Sequence, residues 1–366
     1  RAAHAARRAA PRAYMTPALE TFLPAGDEGP RRQQRPGKPG DYFRGVSVHY
    51  LANHLIRELG VHQDMTIHQC EESIRRRSRG YRCPRDGKNN AAYVDTVPEE
   101  HAGRATVMLS YSWQYRVGEV VEALAAQCAR LGRDPRRTYV WMCALCVNQH
   151  RVKAGIDVDS DSFREAFHAR VTIIDELWAL LAPWTEPFYV QRLWCLFELY
   201  RAIEVHKEEP FRIRVIMPTA EAENFARYNQ KDGGLIPLSM LFRALASVKI
   251  SKAHATVPAD RRHIRRLIEE EAAGAGKSAS EVYRAIDLEV VKRMQTFFFE
   301  SACDVARAAV DRERAEGRNV TPGTLRLCAA AGLLGCYVRD YDRAWLIVAR
   351  GLHAADAAGP AVARSE

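Results

Sequence analysis

The chain has 366 residues, 47% of them hydrophobic and 27% charged, with a net charge of +9 at pH 7. That length supports two or three domains with a sizeable core, and that balance is ordinary for a soluble globular protein. The longest apolar runs, such as residues 139–147, fall well short of the roughly 20 residues that a membrane span needs, so no membrane span is expected. Nine scattered cysteines, an odd number with no secretory leader, point to reduced thiols in an intracellular, cytoplasmic protein rather than a disulfide framework.

In chain order, residues 1–46 hold eight Arg and one Lys against four acids and are rich in Ala, Pro and Gly. Residues 1–41 are therefore expected to form a disordered, solvated basic arm. No aromatic interleaving or nucleic-acid motif accompanies the charge, so nucleic acid is not an expected partner. Order is expected from about Tyr42. Val48, Leu51, Ala52, Leu55, Ile56 and Leu59 recur at helical spacing, and Gly60 follows as a stop. Thr66 and Gln69 have the spacing of a capping box for a second helix that ends near Arg77. Residues 79–90 read as a polar, mobile connector. Residues 42–103 thus read as a helical N-terminal extension.

From Arg104 the pattern alternates. Strands are expected over residues 106–109, 138–142, 177–181 and 211–217, with a fifth over 245–250. Helices are expected over 117–131, 161–174, 187–205, 219–228 and 259–271. Short apolar strands separated by helices predict a parallel sheet covered on both faces: an α/β, doubly wound domain over residues 104–276. The rest of the chain, residues 277–366, reads as wholly helical. Ser278 and Glu281 form a second capping-box pair, and the helix they start runs to about Glu316. Two further helices over about 321–358 meet near residues 339–342. In this hairpin Gly332, Tyr341, Ala344 and Gly351 resemble one tetratricopeptide repeat, in which small residues let paired helices approach closely. The resemblance implies protein partners for the helical repeat. Such repeats need neighbours, and the chain opens on Arg rather than Met, so it is expected to be part of a longer protein.

In an open parallel sheet, ligands bind beyond the carboxyl ends of the strands where the strand order reverses. For the five-strand order 2-1-3-4-5 that point lies between the first and third strands. The flanking loops are then residues 110–116 (SYSWQYR) and 182–192 (APWTEPFYVQR). The helix after the second loop carries one carboxylate, Glu198, in the apolar run QRLWCLFELYRA. Two arrangements fit its spacing. Glu198 either faces the crevice, or turns outward to pair with Arg201 at i+3.

Leu109-Ser-Tyr-Ser112, a Trp-bearing second strand and Trp194-Cys-Leu-Phe-Glu198 together resemble a Toll/interleukin-1 receptor (TIR) domain over roughly residues 104–271. Val147-Asn-Gln-His150 is similar to the ending of the second strand in a divergent TIR-like group common in algae and protists. The resemblance implies a flavodoxin-like fold and an intracellular signalling role, through self-association or through cleavage of NAD⁺ at the nicotinamide–ribose bond. It further implies Glu198 as the catalytic glutamate. The chain departs from the family at Cys143, where an acidic residue commonly ends the second strand, and at residues 148–155, which are polar and basic. NAD⁺ would be a substrate, and no permanently bound cofactor is expected. Trp113 and Trp184 in the two loops are the expected aromatic walls, with Ser110, Ser112 and Arg116 as contacts to ribose or pyrophosphate. A second outcome, a non-catalytic TIR-like and tetratricopeptide scaffold, stays open.

Two weaker patterns carry less. Cys143-x₂-Cys146-x₃-His150 imitates half a zinc site, but no second pair stands at matching spacing, and no metal is expected. The glycines at 233–234 and 274–276 lack the spacing of a phosphate loop.

Overall fold

The computed structural model describes residues 43–154, 170–206, 209, 212–230, 245–255 and 258–356; the expected basic arm and most of the helix expected over 161–174 lie outside them. Two strands stand inside the segment that the sequence presents as a helical extension. β1 (Arg44–Ser47) and β2 (Ala102–Arg104) pair antiparallel, with Gly45 opposite Gly103. A Cβ on Gly45 would lie 2.8 Å from the Val140 backbone, and one on Gly103 would lie 2.8 Å from the Tyr139 ring. Glycine is what lets the backbones close up here. Strands of four and three residues, each with a glycine, offer no alternation to read, so the purely helical reading of 42–103 is corrected.

Between these strands the expected helices form. α1 runs through Val48–Tyr50, a π-helical turn Leu51–Leu55, and Ile56–Leu59, ending on Gly60 in the left-handed region at φ 63°. α2 (Ile67–Ser78) starts on the Thr66–Gln69 capping box. The loop after it is tied down rather than a loose connector. Arg151 Nε donates to Asp86 at 3.0 Å, Arg85 donates to the Cys146 carbonyl at 3.0 Å, and Asn148 Nδ2 donates to the Asn90 carbonyl at 2.9 Å.

The parallel part consists of β3 (Val107–Ser110), β4 (Tyr139–Trp141), β5 (Glu176–Leu180) and β6 (Ile213–Ile216). With β1 pairing antiparallel to β4, the six strands make one mixed sheet in the order β2-β1-β4-β3-β5-β6. Within it the parallel strands take the expected 2-1-3-4 order. β3 is buried at every position, as a strand covered on both faces must be. By the right-handed rule for parallel crossovers, α3 (Val117–Arg130), between β3 and β4, belongs on one face of the sheet. The one-turn α4 (Cys143–Cys146) and short α5 (Gln149–Lys153) follow β4. By the same rule α6 (Leu193–Val205), between β5 and β6, belongs on the other face.

α7 (Thr219–Gln230) and α8 (Pro258–Gly274) complete this part. The fifth strand expected over 245–250 does not form. Residues Ile250–Lys252 make a 3₁₀ turn, and the Ile250 N–H donates to Asp287 Oδ1 at 2.8 Å instead of to a ladder. The edge such a strand would need is taken by α9 (Ala279–Ala315), whose Arg293 donates to the Ile213 carbonyl on β6. A helix covering the last strand removes the unpaired edge without adding a strand.

α9 starts on the Ser278–Glu281 capping box and continues into the hairpin α10 (Pro322–Tyr337) and α11 (Tyr341–Asp356). Gly332 lies against Val348, Gly335 against Ala344 and Phe299, and Gly351 against Cys328; a Cβ at any of them would come within 2.8 Å of a neighbour. α9 packs onto the α/β part through aromatic rings. Trp184 meets Phe225 edge-on at 5.3 Å, and Phe225 meets Phe298 at 5.7 Å. One contiguous core runs from Phe43 to Ala354. Among the described residues no helix is long and apolar enough to cross a membrane, and all nine cysteines are free thiols.

Candidate functional site

The parallel strand order reverses between β3 and β5, so the loops that follow these two strands flank the point where open α/β sheets bind ligands. β3 ends on Ser110, which is fully buried. Its hydroxyl hydrogen-bonds Oε2 of Glu198 and lies 2.8 Å from the hydroxyl of Tyr189. Tyr189 stands on the 3₁₀ turn Phe188–Gln191 just before α6, and its hydroxyl reaches the Cys195 carbonyl at 2.9 Å. The start of α6 is strapped from outside. The Leu193 N–H donates to the His254 carbonyl at 2.9 Å, and the His254 N–H donates to the Gln191 carbonyl at 2.8 Å.

These contacts fix the rotation of α6. Leu193, Cys195, Leu196, Phe197, Leu199 and Ala202 are buried, while Trp194 and Glu198 are partly exposed. Arg201 does not pair with Glu198. Its guanidinium bonds Glu204 at 2.7 Å and Glu271 at 2.8 Å on the far side of the helix. Of the two arrangements open to the sequence, the inward one is therefore observed.

Burial pushes the Glu198 carboxyl up to about 7, against the downward pull of the Ser110 hydroxyl. Its other oxygen, Oε1, makes no hydrogen bond among the described residues. Beside it stands Cys143, at the start of α4. Burial and then the Glu198 charge raise the Cys143 thiol, so the thiol stays neutral. Trp113 Nε1 donates to Cys143 Sγ at 3.2 Å, and the Tyr111 hydroxyl accepts from the Ala144 N–H at 3.4 Å. The loop after β3 thus holds the start of α4 against the carboxylate.

The expected site residues separate into two groups. Glu198, Ser110 and Trp113 come together, with Trp113 arriving through Cys143. Ser112, Arg116 and Trp184 do not join them. The Ser112 hydroxyl is buried and accepts from the Gln114 N–H at 3.3 Å, which shapes the loop. Arg116 precedes α3 with its side chain 58% exposed, 4.0 Å from Asp64 and from Glu119. Trp184 is wholly buried against Phe225 in the core and lines no crevice. A Trp in a loop reads as exposed from sequence, yet the pocket that takes it is lined by α7, which comes later in the chain. Tyr189 was not singled out by the sequence reading. It belongs to no motif, and only its place in the second loop pointed toward it.

The zinc-like spacing does not converge. Cys143 faces Trp113, Cys146 Sγ accepts from the Met142 N–H at 3.4 Å, and His150 Nε2 lies 3.2 Å from Ser78 Oγ. Among the described residues no group of three or more His, Cys, Asp or Glu could hold a metal ion. Comparison with known proteins gives no matching family model, no matching curated protein and no matching solved structure.

Proposed function

We propose that this chain is a TIR-like, flavodoxin-like signalling protein that cleaves NAD⁺ at the nicotinamide–ribose bond when self-associated, with Glu198 as the catalytic carboxylate. The observation that carries the reading is the inward rotation of α6, which sets Glu198 against Ser110 at the strand-order reversal rather than against Arg201.

A lone carboxylate suits this chemistry. Most glycosidases use two, one of them to protonate the leaving group. Nicotinamide leaves NAD⁺ with both electrons of the C1′–N bond as a neutral molecule, so no proton is needed. The ribose is left as an oxocarbenium ion, which an ionised Glu198 stabilises through charge. Water then adds at C1′ and gives up a proton, leaving ADP-ribose. Because burial raises Glu198 to about 7, the ionised form grows as the pH rises through neutrality, and activity rises with it. Trp113, hydrogen-bonded to the Cys143 thiol beside the carboxylate, supplies a partly exposed aromatic surface.

The test is nicotinamide release from NAD⁺ by the purified chain at high concentration, with Glu198→Ala and Glu198→Gln beside it. Unchanged activity in both variants removes Glu198 as the catalyst. An inactive parent, tested also in an assembled state, turns the reading to a non-catalytic scaffold. One observation favours that second reading: the hairpin exposes Tyr341, Trp345 and Leu346 at 62%, 68% and 65%, an apolar surface suited to protein partners. A groove of about 300 Å³ between α10 and α11, lined by Leu325, Cys328, Val348 and Leu352 among others, adds to it.

A further inference from the structure

The hydrogen-bonded chain that ends on Glu198 holds more contacts than its hydroxyl protons can fill. Three contacts lie in series: Glu198 Oε2 to Ser110 Oγ, Ser110 Oγ to Tyr189 Oη, and Tyr189 Oη to the Cys195 carbonyl. Each contact needs one proton. A carbonyl can only accept, and Ser110 and Tyr189 bring one hydroxyl proton each; the Cys195 thiol, which also bonds Ser110, brings the proton of its own contact and leaves the balance unchanged. With Glu198 ionised, two protons serve three contacts. With Glu198 as a neutral acid the count closes. Glu198 donates to Ser110, Ser110 donates to Tyr189, and Tyr189 donates to Cys195.

We propose that Ser110 and Tyr189 form a reversible hydrogen-bond relay that holds Glu198 as a neutral acid in the resting site and reverses when Glu198 ionises. In the reversed state Ser110 donates to the carboxylate and Tyr189 turns its proton to Ser110. The Cys195 carbonyl loses that donor but keeps the N–H four residues on in α6. Ionisation therefore costs one hydrogen bond and turns two others around. Both hydroxyls are buried, so water does not compete for either orientation.

The groups around the carboxyl agree with a neutral resting state. Among the described residues, the titratable groups that face it are Cys143 from the start of α4, Cys195 from its own helix and Tyr189 from the 3₁₀ turn; burial holds each of them neutral. Arg192, at the start of α6, acts on the Cys195 thiol, and Arg201 is engaged by Glu204 and Glu271. In this account Ser110 and Tyr189 are positioning residues: they set which protonation state of Glu198 the site presents. On the proposed function, on which this consequence rests, the relay keeps the glycohydrolase idle until the reversal supplies the anion. A ligand cation near Oε1, or assembly that shifts the 3₁₀ turn, is the kind of event that would drive it.

The sign of one shift decides the matter, and it needs no NAD⁺. The full chain, with ¹³C-labelled Glu side chains, is titrated by NMR, and the Glu198 resonance is identified by its loss in Glu198→Gln. Tyr189→Phe removes two of the three bonds of the neutral state but only one of the ionised state. The expected result is a Glu198 midpoint lowered by about one pH unit, tenfold in the acid constant. In a fixed chain where Tyr189 always donates to Ser110, the same variant removes support for the anion and the midpoint rises. A midpoint that rises or stays overturns the relay. If Tyr189→Phe does not fold, the parent against Glu198→Gln suffices. At about pH 6 the infrared difference must contain the carbonyl band of a protonated carboxyl, and its absence overturns the proposal. Nicotinamide release, where present, must move to lower pH in Tyr189→Phe by the same interval. A silent enzyme with the expected titration sinks the proposed reaction and leaves the relay standing.

Discussion

A glutamate stands at each end of the pairing of β3 with β5, one from β5 and one from α6, and the two are treated in opposite ways. Glu176 opens β5 opposite Val107, and Glu198 meets Ser110 where the same two strands end. Burial pushes Glu176 up, but a hydrogen bond from Arg133, one from Trp178 Nε1 at 3.0 Å and the Arg133 and Arg214 charges outweigh it and hold it below its usual range. Glu198 has only a hydroxyl, and burial wins. The same side-chain type, on β5 at one end and reaching in from α6 at the other, is thus a structural anion in one place and a poised acid in the other. The difference lies in the partners, since desolvation raises both carboxyls.

On the proposed function, the largest effect that separates the two ends is on turnover. Glu198→Ala is expected to lower nicotinamide release by about 10²–10³-fold at a pH above neutrality, the usual scale for losing one electrostatic stabiliser. Glu176→Ala, at the other end, is expected to leave any turnover per folded molecule in place and to destabilise the fold. A cost of about 3 kcal/mol in urea at neutral pH follows from stranding Arg133 and Arg214. Since Glu176 is depressed, its contribution is present above the ordinary Glu value of 4.5 and fades as the pH falls below it, and so does the cost of removing it.

Glu198 has the reverse sign. Its proton is held more tightly in the folded state than in the unfolded chain, so ionising it weakens the fold as the pH climbs from 4.5 through about 7. Glu198→Gln keeps a neutral donor. It is expected to match the parent in denaturant at about pH 5 and to be more stable by about 1–2 kcal/mol at about pH 8. The smallest effect is expected from Arg201→Ala, under about 1 kcal/mol for a partly exposed pair, with the Glu198 titration unmoved. A shift of the Glu198 midpoint in that variant would mean that Arg201 supports the carboxylate after all.

Much of the frame was legible residue by residue. The Thr66–Gln69 and Ser278–Glu281 boxes start their helices, and Gly60 ends α1, because capping is a contact between residues two to four apart. The four apolar strands stand where alternation placed them. The misses are non-local. β1 and β2 exist because Gly45 and Gly103 let two distant segments close on Tyr139 and Val140. Residues 245–250 are apolar like a strand, but α9 already occupies the edge that would receive them. Trp184 reads as a loop aromatic, and Phe225 takes it into the core.

At the site the division is the same. Chain order and right-handed crossover already put the lone carboxylate of the apolar run 191–202, Glu198, on the helix after the third parallel strand, near the point where the strand order reverses. Whether Glu198 faced that point or Arg201 was one rotation of α6, which helical periodicity leaves open. Only the tertiary structure decided it, by placing Ser110 and Tyr189 on one side and Glu204 and Glu271 on the other. The proton count along Ser110 and Tyr189 is likewise tertiary, because hydroxyls 79 residues apart in the chain share a bond only once the strand and the turn have packed.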